Sequence, residues 1–289
     1  MLSPVAVGVD GSPESLAAAE WAAREAARRG RPLRLLHVRN WHPRQDGTQI
    51  AHAAEKHLAR RVLREAEEHV LAVCPEVRVH DEQAEGPATA ALVKAADDAE
   101  PLVLGSRGLS RVTGLLVGSV ALSVVAQATR PVVLVRAGTA GGTPGTGRRD
   151  VVLGVDVTEP CDEVIEFAFE AARLRHTRLR ALHAWRAPDP LTLGPGEIGL
   201  VDDPERAEEW LCFLSAVLQV WRDKYSDVEV LETVVDGKPA RALAKAASGA
   251  ELLVVGHRLT DRPRLPRTGP VTHTVIQHAD CPVAVVPHH

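Results

Sequence analysis

The chain has few of the features that mark secreted, membrane or nucleic-acid-binding proteins. Its 289 residues include four cysteines, none of them in a C-x-x-C pair, which argues against a disulfide framework or a zinc site. It has no run of about 18 apolar residues and no apolar stretch typical of a signal peptide. The net charge of -4 supplies no basic field for nucleic acid or an anionic membrane. We expect a cytoplasmic protein that binds neither.

Two common nucleotide-binding signatures are also missing. No G-x-x-x-x-G-K-[ST] run occurs, which excludes a P-loop NTPase. No G-x-G-x-x-G follows the first predicted strand, which disfavours a Rossmann dehydrogenase. With 45% hydrophobic and 25% charged residues, the composition is that of an ordinary globular protein. The length predicts two domains.

The chain contains two copies of one unit. Val5-Ala-Val-Gly-Val-Asp10 matches Val151-Val-Leu-Gly-Val-Asp156, and the same spacing carries His37 onto His183. Slightly later, Gly105, Gly118 and Pro131 match Gly256, Gly269 and Pro282. Residues 138–149 between the copies are rich in Gly and Thr and too poor in apolar side chains to fold. We predict domains at 1–137 and 150–289 joined by this linker.

Each copy alternates strands and helices. In the first copy, apolar runs predict strands near 4–9, 33–39, 77–83, 102–105 and 132–136, and helical periodicity predicts helices near 13–29, 50–72, 87–98 and 119–128. This alternation predicts an α/β fold with a parallel sheet and helices on both faces. Ligands bind such sheets at the carboxyl ends of strands where the strand order reverses. Asp10 and Gly105 become neighbours if strands one and four are adjacent.

A glycine-rich motif follows the fourth predicted strand. Gly105, Gly108, Gly118 and Ser119 form the pattern G-2x-G-9x-G-[ST], and a helix begins after it. Bare amides at a helix start suit a polyphosphate. With the strand-end Asp10 and the second copy, this pattern resembles the universal stress protein family, and the whole chain resembles a tandem, two-domain member.

The resemblance implies two flavodoxin-like (Rossmann-like) five-stranded sheets of order 3-2-1-4-5, with ATP, alone or with Mg²⁺, across strands one and four. Ser119 and Arg107 would meet phosphate oxygens, and Val38 would contact adenine. Asp10 would bind either a ribose hydroxyl or a water on Mg²⁺. The resemblance implies no protein-ligated metal and the following ATP-binding residues: Gly8, Val9, Asp10, Val38, Leu104, Gly105, Arg107, Gly108, Gly118, Ser119 and Val120.

The second copy departs from this pattern. Asp156, Gly256 and Gly269 remain, but Leu259 stands at the position of Gly108 and Pro270 at that of Ser119. Proline has neither the hydroxyl nor the amide donor at the helix start. We expect the second copy to bind ATP weakly or not at all.

Each feature also has a structural interpretation. The glycines could serve close packing of strand and helix, and Asp10 could form an Asx turn in Asp-Gly-Ser-Pro. His37 and His183 lie at strand ends without a second His or Cys nearby in the sequence, which favours structural roles over metal binding.

The resemblance implies an ATP-binding regulatory protein of the stress response. Residues 106–117 contain no Asp, Glu or His that could activate water, which argues against a dedicated enzyme but leaves slow ATP hydrolysis open. A scaffold without nucleotide is the third alternative. The apolar last strands after Pro131 and Pro282 would form adhesive edges. We therefore expect them to pair within the chain, with a homodimer left open.

Overall fold

The computed structural model describes residues 3–39, 49–106, 118–138, 149–185, 204–259 and 268–289. The N-terminal half contains β1 (Val5–Gly8), α1 (Pro13–Arg29), β2 (Leu33–Arg39), α2 (Gln49–Val73), β3 (Val79–Glu85), α3 (Ala88–Asp97), β4 (Leu102–Ser106), α4 (Ser119–Val125) and β5 (Val132–Arg136). The C-terminal half contains β6 (Val151–Gly154), α5 (Asp162–Leu174), β7 (Leu179–Trp185), α6 (Pro204–Lys224), β8 (Val230–Asp236), α7 (Pro239–Ala247), β9 (Leu252–Arg258), α8 (Pro270–His278) and β10 (Val283–His288). Most of the predicted linker, 139–148, lies outside the described residues.

All ten strands form one sheet of order β3-β2-β1-β4-β5-β10-β9-β6-β7-β8. Each half has the predicted order 3-2-1-4-5, with parallel neighbours. The last strands β5 and β10 pair antiparallel, with Val133 opposite Ala284. The expected pairing of the two halves through their last strands is therefore present, and it merges two half-sheets into one.

Helices cover both faces of the sheet, as predicted. Val5 and Val7 of β1 pack under α1 and α2, whereas Ala6 faces α3 and α4. The C-terminal half repeats this division. On each face the buried side chains form one cluster that includes both halves, so the hydrophobic core is continuous across the junction.

The third strand begins later than the sequence predicted. The predicted strand 77–83 is shifted to Val79–Glu85. Val77 lies in a turn after α2, where its amide donates to the Cys74 carbonyl over 3.2 Å. Because Val77 is nevertheless 7% exposed, the apolar signal came from a turn residue that packs in the core.

A buried ionic cluster joins the halves across α1 and α5. The Glu25 carboxylate, 1% exposed, lies 2.6 Å from the Arg29 guanidinium and 2.6 Å from that of Arg175. Arg29 also reaches Glu170 over 3.1 Å. Burial alone would raise the pKa of Glu25, but the charges of Arg175 and Arg29 outweigh burial and lower it. Glu25 is therefore ionised in the folded protein and ties α1 to α5.

On the opposite face of the sheet, a side chain of β5 caps the end of α8 and so links the two halves. The Arg136 guanidinium at the end of β5 donates to the Ile276 carbonyl over 3.0 Å and also to that of Gln277. Both carbonyls belong to the last turn of α8, where a cation complements the helix dipole. None of the helices in the described ranges is long and apolar enough to cross a membrane.

We predict that Glu25→Gln lowers the free energy of unfolding by about 3–5 kcal/mol, because it removes the carboxylate that pairs with the buried Arg175 guanidinium, while Arg29 keeps only Glu170. The exposed control Glu229→Gln removes only the surface pair with Arg178, so we expect a loss of at most about 1 kcal/mol. Urea denaturation followed by circular dichroism measures both.

The effect of Glu25→Gln should depend on pH. Since the folded-state pKa of Glu25 lies below its ordinary value of 4.5, its stabilisation is complete above that pH and is lost as the pH falls through the lowered pKa. The difference between wild type and variant should therefore shrink in acid. A difference that grows in acid would contradict this assignment.

Candidate functional site

The candidate site of the N-terminal half lies at a reversal of strand order. β1 pairs with β2 on one side and with β4 on the other, and Gly8 lies opposite Leu104. The carboxyl ends of β1 and β4 are thus adjacent, which brings Asp10 and Gly105 to the same edge, as expected. Such reversals are where open parallel sheets bind ligands.

Asp10 organises the turn between β1 and α1. Its Oδ1 accepts the Ser12 amide over 2.9 Å. Ser12 is the N-cap of α1, and its hydroxyl accepts the Ser15 amide over 3.2 Å. The Asx-turn interpretation of Asp10 is therefore correct. The Asp10 side chain nevertheless remains exposed at this edge.

Two glycines of the motif have different surroundings. A Cβ on Gly105 would lie 2.7 Å from the backbone carbonyl carbon and oxygen of Glu14, so glycine is required for α1 to pass over β4. A Cβ on Gly118 would meet nothing within 4 Å. Its φ of −63° is accessible to any residue. Packing within the described part of the chain explains glycine at position 105 but not at position 118.

The remaining predicted residues are distributed around this edge. Leu104 and Val9 are buried, and the Val9 carbonyl accepts the His37 Nδ1 proton over 2.8 Å. Val38 is half-buried near the end of β2, and Ser119 and Val120 are exposed at the start of α4. The N-cap Gly118 has no side chain to satisfy the first amides of α4. Arg107 and Gly108 lie outside the described residues.

The corresponding edge of the C-terminal half is built differently. Asp156 repeats the Asx turn, accepting the Thr158 amide over 3.1 Å. However, α5 starts only at Asp162, and the Gly256 backbone faces a side chain instead of a helix backbone. The His288 Nε2 lies 3.0 Å from where a Gly256 Cβ would be.

His288 is held by a second residue of this edge. Its Nδ1 lies 3.1 Å from the Cys161 Sγ. Burial, followed by the charge of Glu163, raises the pKa of the Cys161 thiol. The contact is therefore a hydrogen bond from a neutral Cys161 thiol to the His288 imidazole.

The two predicted departures of the second copy lie at this edge as well. Pro270 is the first residue of α8, directly after the N-cap Gly269. The Leu259 amide donates to the His288 carbonyl over 2.7 Å. The Thr272 hydroxyl donates to the Gly256 carbonyl over 2.9 Å. In the second half, side chains and backbone groups of the protein therefore surround Gly256.

A cleft of about 340 Å³ opens between β6, β7, β9, α7 and α8. Its entrance is bracketed by an ion pair in which Arg258 lies 2.8 Å from Glu159. His183 lines the interior, and its Nδ1 lies 3.0 Å from the Val155 carbonyl. This bond repeats that of His37, so the structural interpretation of both histidines is correct.

Several residues of this cleft were not singled out from the sequence. Cys161 and His288 are 127 positions apart, so no local sequence pattern links them. Among the described residues, no three His, Cys, Asp or Glu side chains are grouped as metal ligands.

The fold described above defines a tandem α/β protein with a reversal of strand order in each half. The family model of the universal stress protein family matches residues 1–136 and 147–287. A universal stress protein of Mycobacterium tuberculosis is 33% identical over 291 residues, covering 97% of this chain and 95% of the relative. One of Mycolicibacterium smegmatis is 30% identical over 298 residues, covering 98% and 96%. The chain belongs to the universal stress protein family.

The solved structures agree on the fold. A universal stress protein of Archaeoglobus fulgidus superposes with a TM-score of 0.74 at 19% identity, covering 100% of both chains. The predicted family and fold class are thereby confirmed.

We predict that Gly105→Ala and Gly118→Ala differ in stability. The methyl at position 105 would overlap the α1 backbone, which should cost about 1–3 kcal/mol. The methyl at position 118 would meet none of the described residues within 4 Å, so we expect only the loss from a poorer N-cap, at most about 1 kcal/mol. Urea denaturation compares them, and equal stability of the two variants would contradict the packing role of Gly105.

Proposed function

We propose that this protein binds ATP in its N-terminal half and acts as a regulatory nucleotide-binding protein of the stress response. The observation that carries the proposal is the contrast between Gly105 and Gly118. Packing against α1 accounts for the first glycine, while no described residue lies within 4 Å of a Cβ at the second. A bound phosphate is a physical reason for the bare backbone at Gly118, and the complete motif supports this.

The start of α4 fits a triphosphate tail. The first-turn amides have no side-chain cap, and Ser119 adds an exposed hydroxyl. Helix-start amides carry partial positive charge and suit phosphate oxygens. The adenine would lie toward Val38 at the neighbouring strand end. Mg²⁺, if bound, would be held mainly by the phosphates, with Asp10 at the same edge.

We propose binding, not catalysis, as the activity. A hydrolase needs a group that activates water, and residues 106–117 contain no Asp, Glu or His. Asp10 lies at this edge, and its carboxylate already accepts the Ser12 amide. Release of inorganic phosphate during incubation with ATP distinguishes hydrolysis of ATP from binding alone. Multiple turnovers per chain, abolished by Asp10→Asn, would favour an ATPase.

We predict that the purified chain binds a single ATP in equilibrium dialysis. The double variant Gly118→Ala/Ser119→Ala should lose it, because a methyl enters the open space and a hydroxyl donor is removed. Gly269→Ala is the matched control, since its Cβ also meets nothing within 4 Å. It should keep full binding. Two ATP molecules per chain would contradict the degenerate second copy, and none would contradict the proposal.

A further inference from the structure

The two strands that end the sheet, β3 and β8, differ in how their outer edges are protected. The first carries three exposed acidic side chains, Asp81, Glu82 and Glu85. Charged side chains on an edge strand hinder its pairing with another chain. In contrast, β8 has the sequence Val-Leu-Glu-Thr-Val-Val-Asp, and its one exposed acid, Asp236, lies at its end. Within the described part of the chain, the edge of β8 is therefore less protected than that of β3.

The exposed face of β8 is mainly apolar. On the other face, which α6 covers, the Glu232 carboxylate is 12% exposed and lies 2.9 Å from the Arg222 guanidinium. On the exposed face, α7 packs over β6, β7 and β9, and Leu231 is 41% exposed. Because side chains alternate along a strand, Thr233 and Val235 share this face with Leu231, and both are partly exposed. The acid in the middle of β8 thus points away from an apolar row.

The backbone of β8 also has polar groups that point away from β7. The Glu229 carbonyl, just before β8, accepts the Leu179 amide of β7 over 2.9 Å. Since alternate residues of a strand direct their amides and carbonyls to the same side, the odd-numbered residues of β8 face β7. The residues whose amides and carbonyls point to the outer edge include Val230, Glu232 and Val234.

The sequence of β8 is complementary to itself in one antiparallel register. With the symmetry centre at Thr233, this threonine lies opposite its own copy, Leu231 lies opposite Val235, and each glutamate lies opposite a valine. Threonine pairs and aliphatic pairs stabilise neighbouring strands, whereas like charges directly opposite each other destabilise them. Moving the centre by one residue would place Glu232 opposite its own copy or opposite Asp236. Charge therefore selects the register centred on Thr233.

We propose that two copies of this chain associate through antiparallel pairing of β8 with β8, across a two-fold axis at Thr233. The partner is a second copy because the strand complements itself, and a two-fold contact of this kind closes at the dimer. The acidic β3 at the other end of the sheet leaves further growth unfavourable. This interface gives a surface to the homodimer that the sequence left open, and it does not depend on the ATP site.

Disulfide cross-linking of the full chain tests the register. The parent variant Cys212→Ser removes the exposed native thiol. Directly opposite residues whose backbones point away from each other have Cα atoms about 4.5 Å apart, within reach of a disulfide. Added to this parent, Thr233→Cys should form linked dimers at least about ten-fold faster than Leu231→Cys, because residue 231 lies opposite residue 235 in the proposed register. Non-reducing electrophoresis after mild oxidation measures both rates, and the parent alone gives the background.

Sedimentation equilibrium of the full chain at increasing concentration tests the association itself. The mean mass should rise from 31.0 kDa toward twice that value. Leu231→Lys places a charge in the apolar row and should keep the mass at that of one chain. The matched control is Leu58→Lys on α2, where the leucine is 57% exposed, and it should associate like the wild type. A single-chain mass at every concentration, association that Leu231→Lys leaves unchanged, or equal cross-linking through residues 231 and 233 would each overturn the proposal.

Discussion

The antiparallel hydrogen bonds between β5 and β10 determine how the two halves are arranged. Every other pair in the sheet is parallel, so this pair reverses the strand direction at the centre. The carboxyl ends of the strands in one half therefore point in the opposite direction from those in the other half of the continuous sheet. The pairing also removes two apolar edge strands that would otherwise be open to association. The Glu25 cluster on one face and the Arg136 cap on the other hold this arrangement.

The two halves share strand order but differ in how a helix begins. In the first half, α1 starts at Pro13, and its backbone lies against Gly105. In the second half, α5 starts later, and the His288 ring lies against Gly256. Pro270 then removes an amide from the following helix start. The same topology thus presents two edges with different chemistry: at the first, no described side chain caps the α4 amides, and at the second, α8 begins with a proline.

The repeat and the positions of most strands followed from the sequence because buried parallel strands leave strong apolar runs. The strand order came from the resemblance to the family, and the pairing of the last strands from their apolar edges together with that resemblance. The start of β3 did not, since Val77 packs in the core from a turn. The Asx turn of Asp10 and close packing of the glycines were stated alternatives, but that Gly105 is the glycine that packs against α1 depends on how α1 crosses β4. The contact between Cys161 and His288 could not be predicted either, because it joins residues 127 positions apart in the chain.

The central claim is that the amides at the start of α4 bind the phosphates of ATP and that those at the start of α8 do not. Hydrogen–deuterium exchange with and without ATP reports on both in one experiment, because a bound phosphate protects the amides that contact it. We expect ATP to slow exchange at residues 118–120 and to leave residues 271–273 unchanged. Equal protection of both segments, or protection of the second alone, would contradict the account.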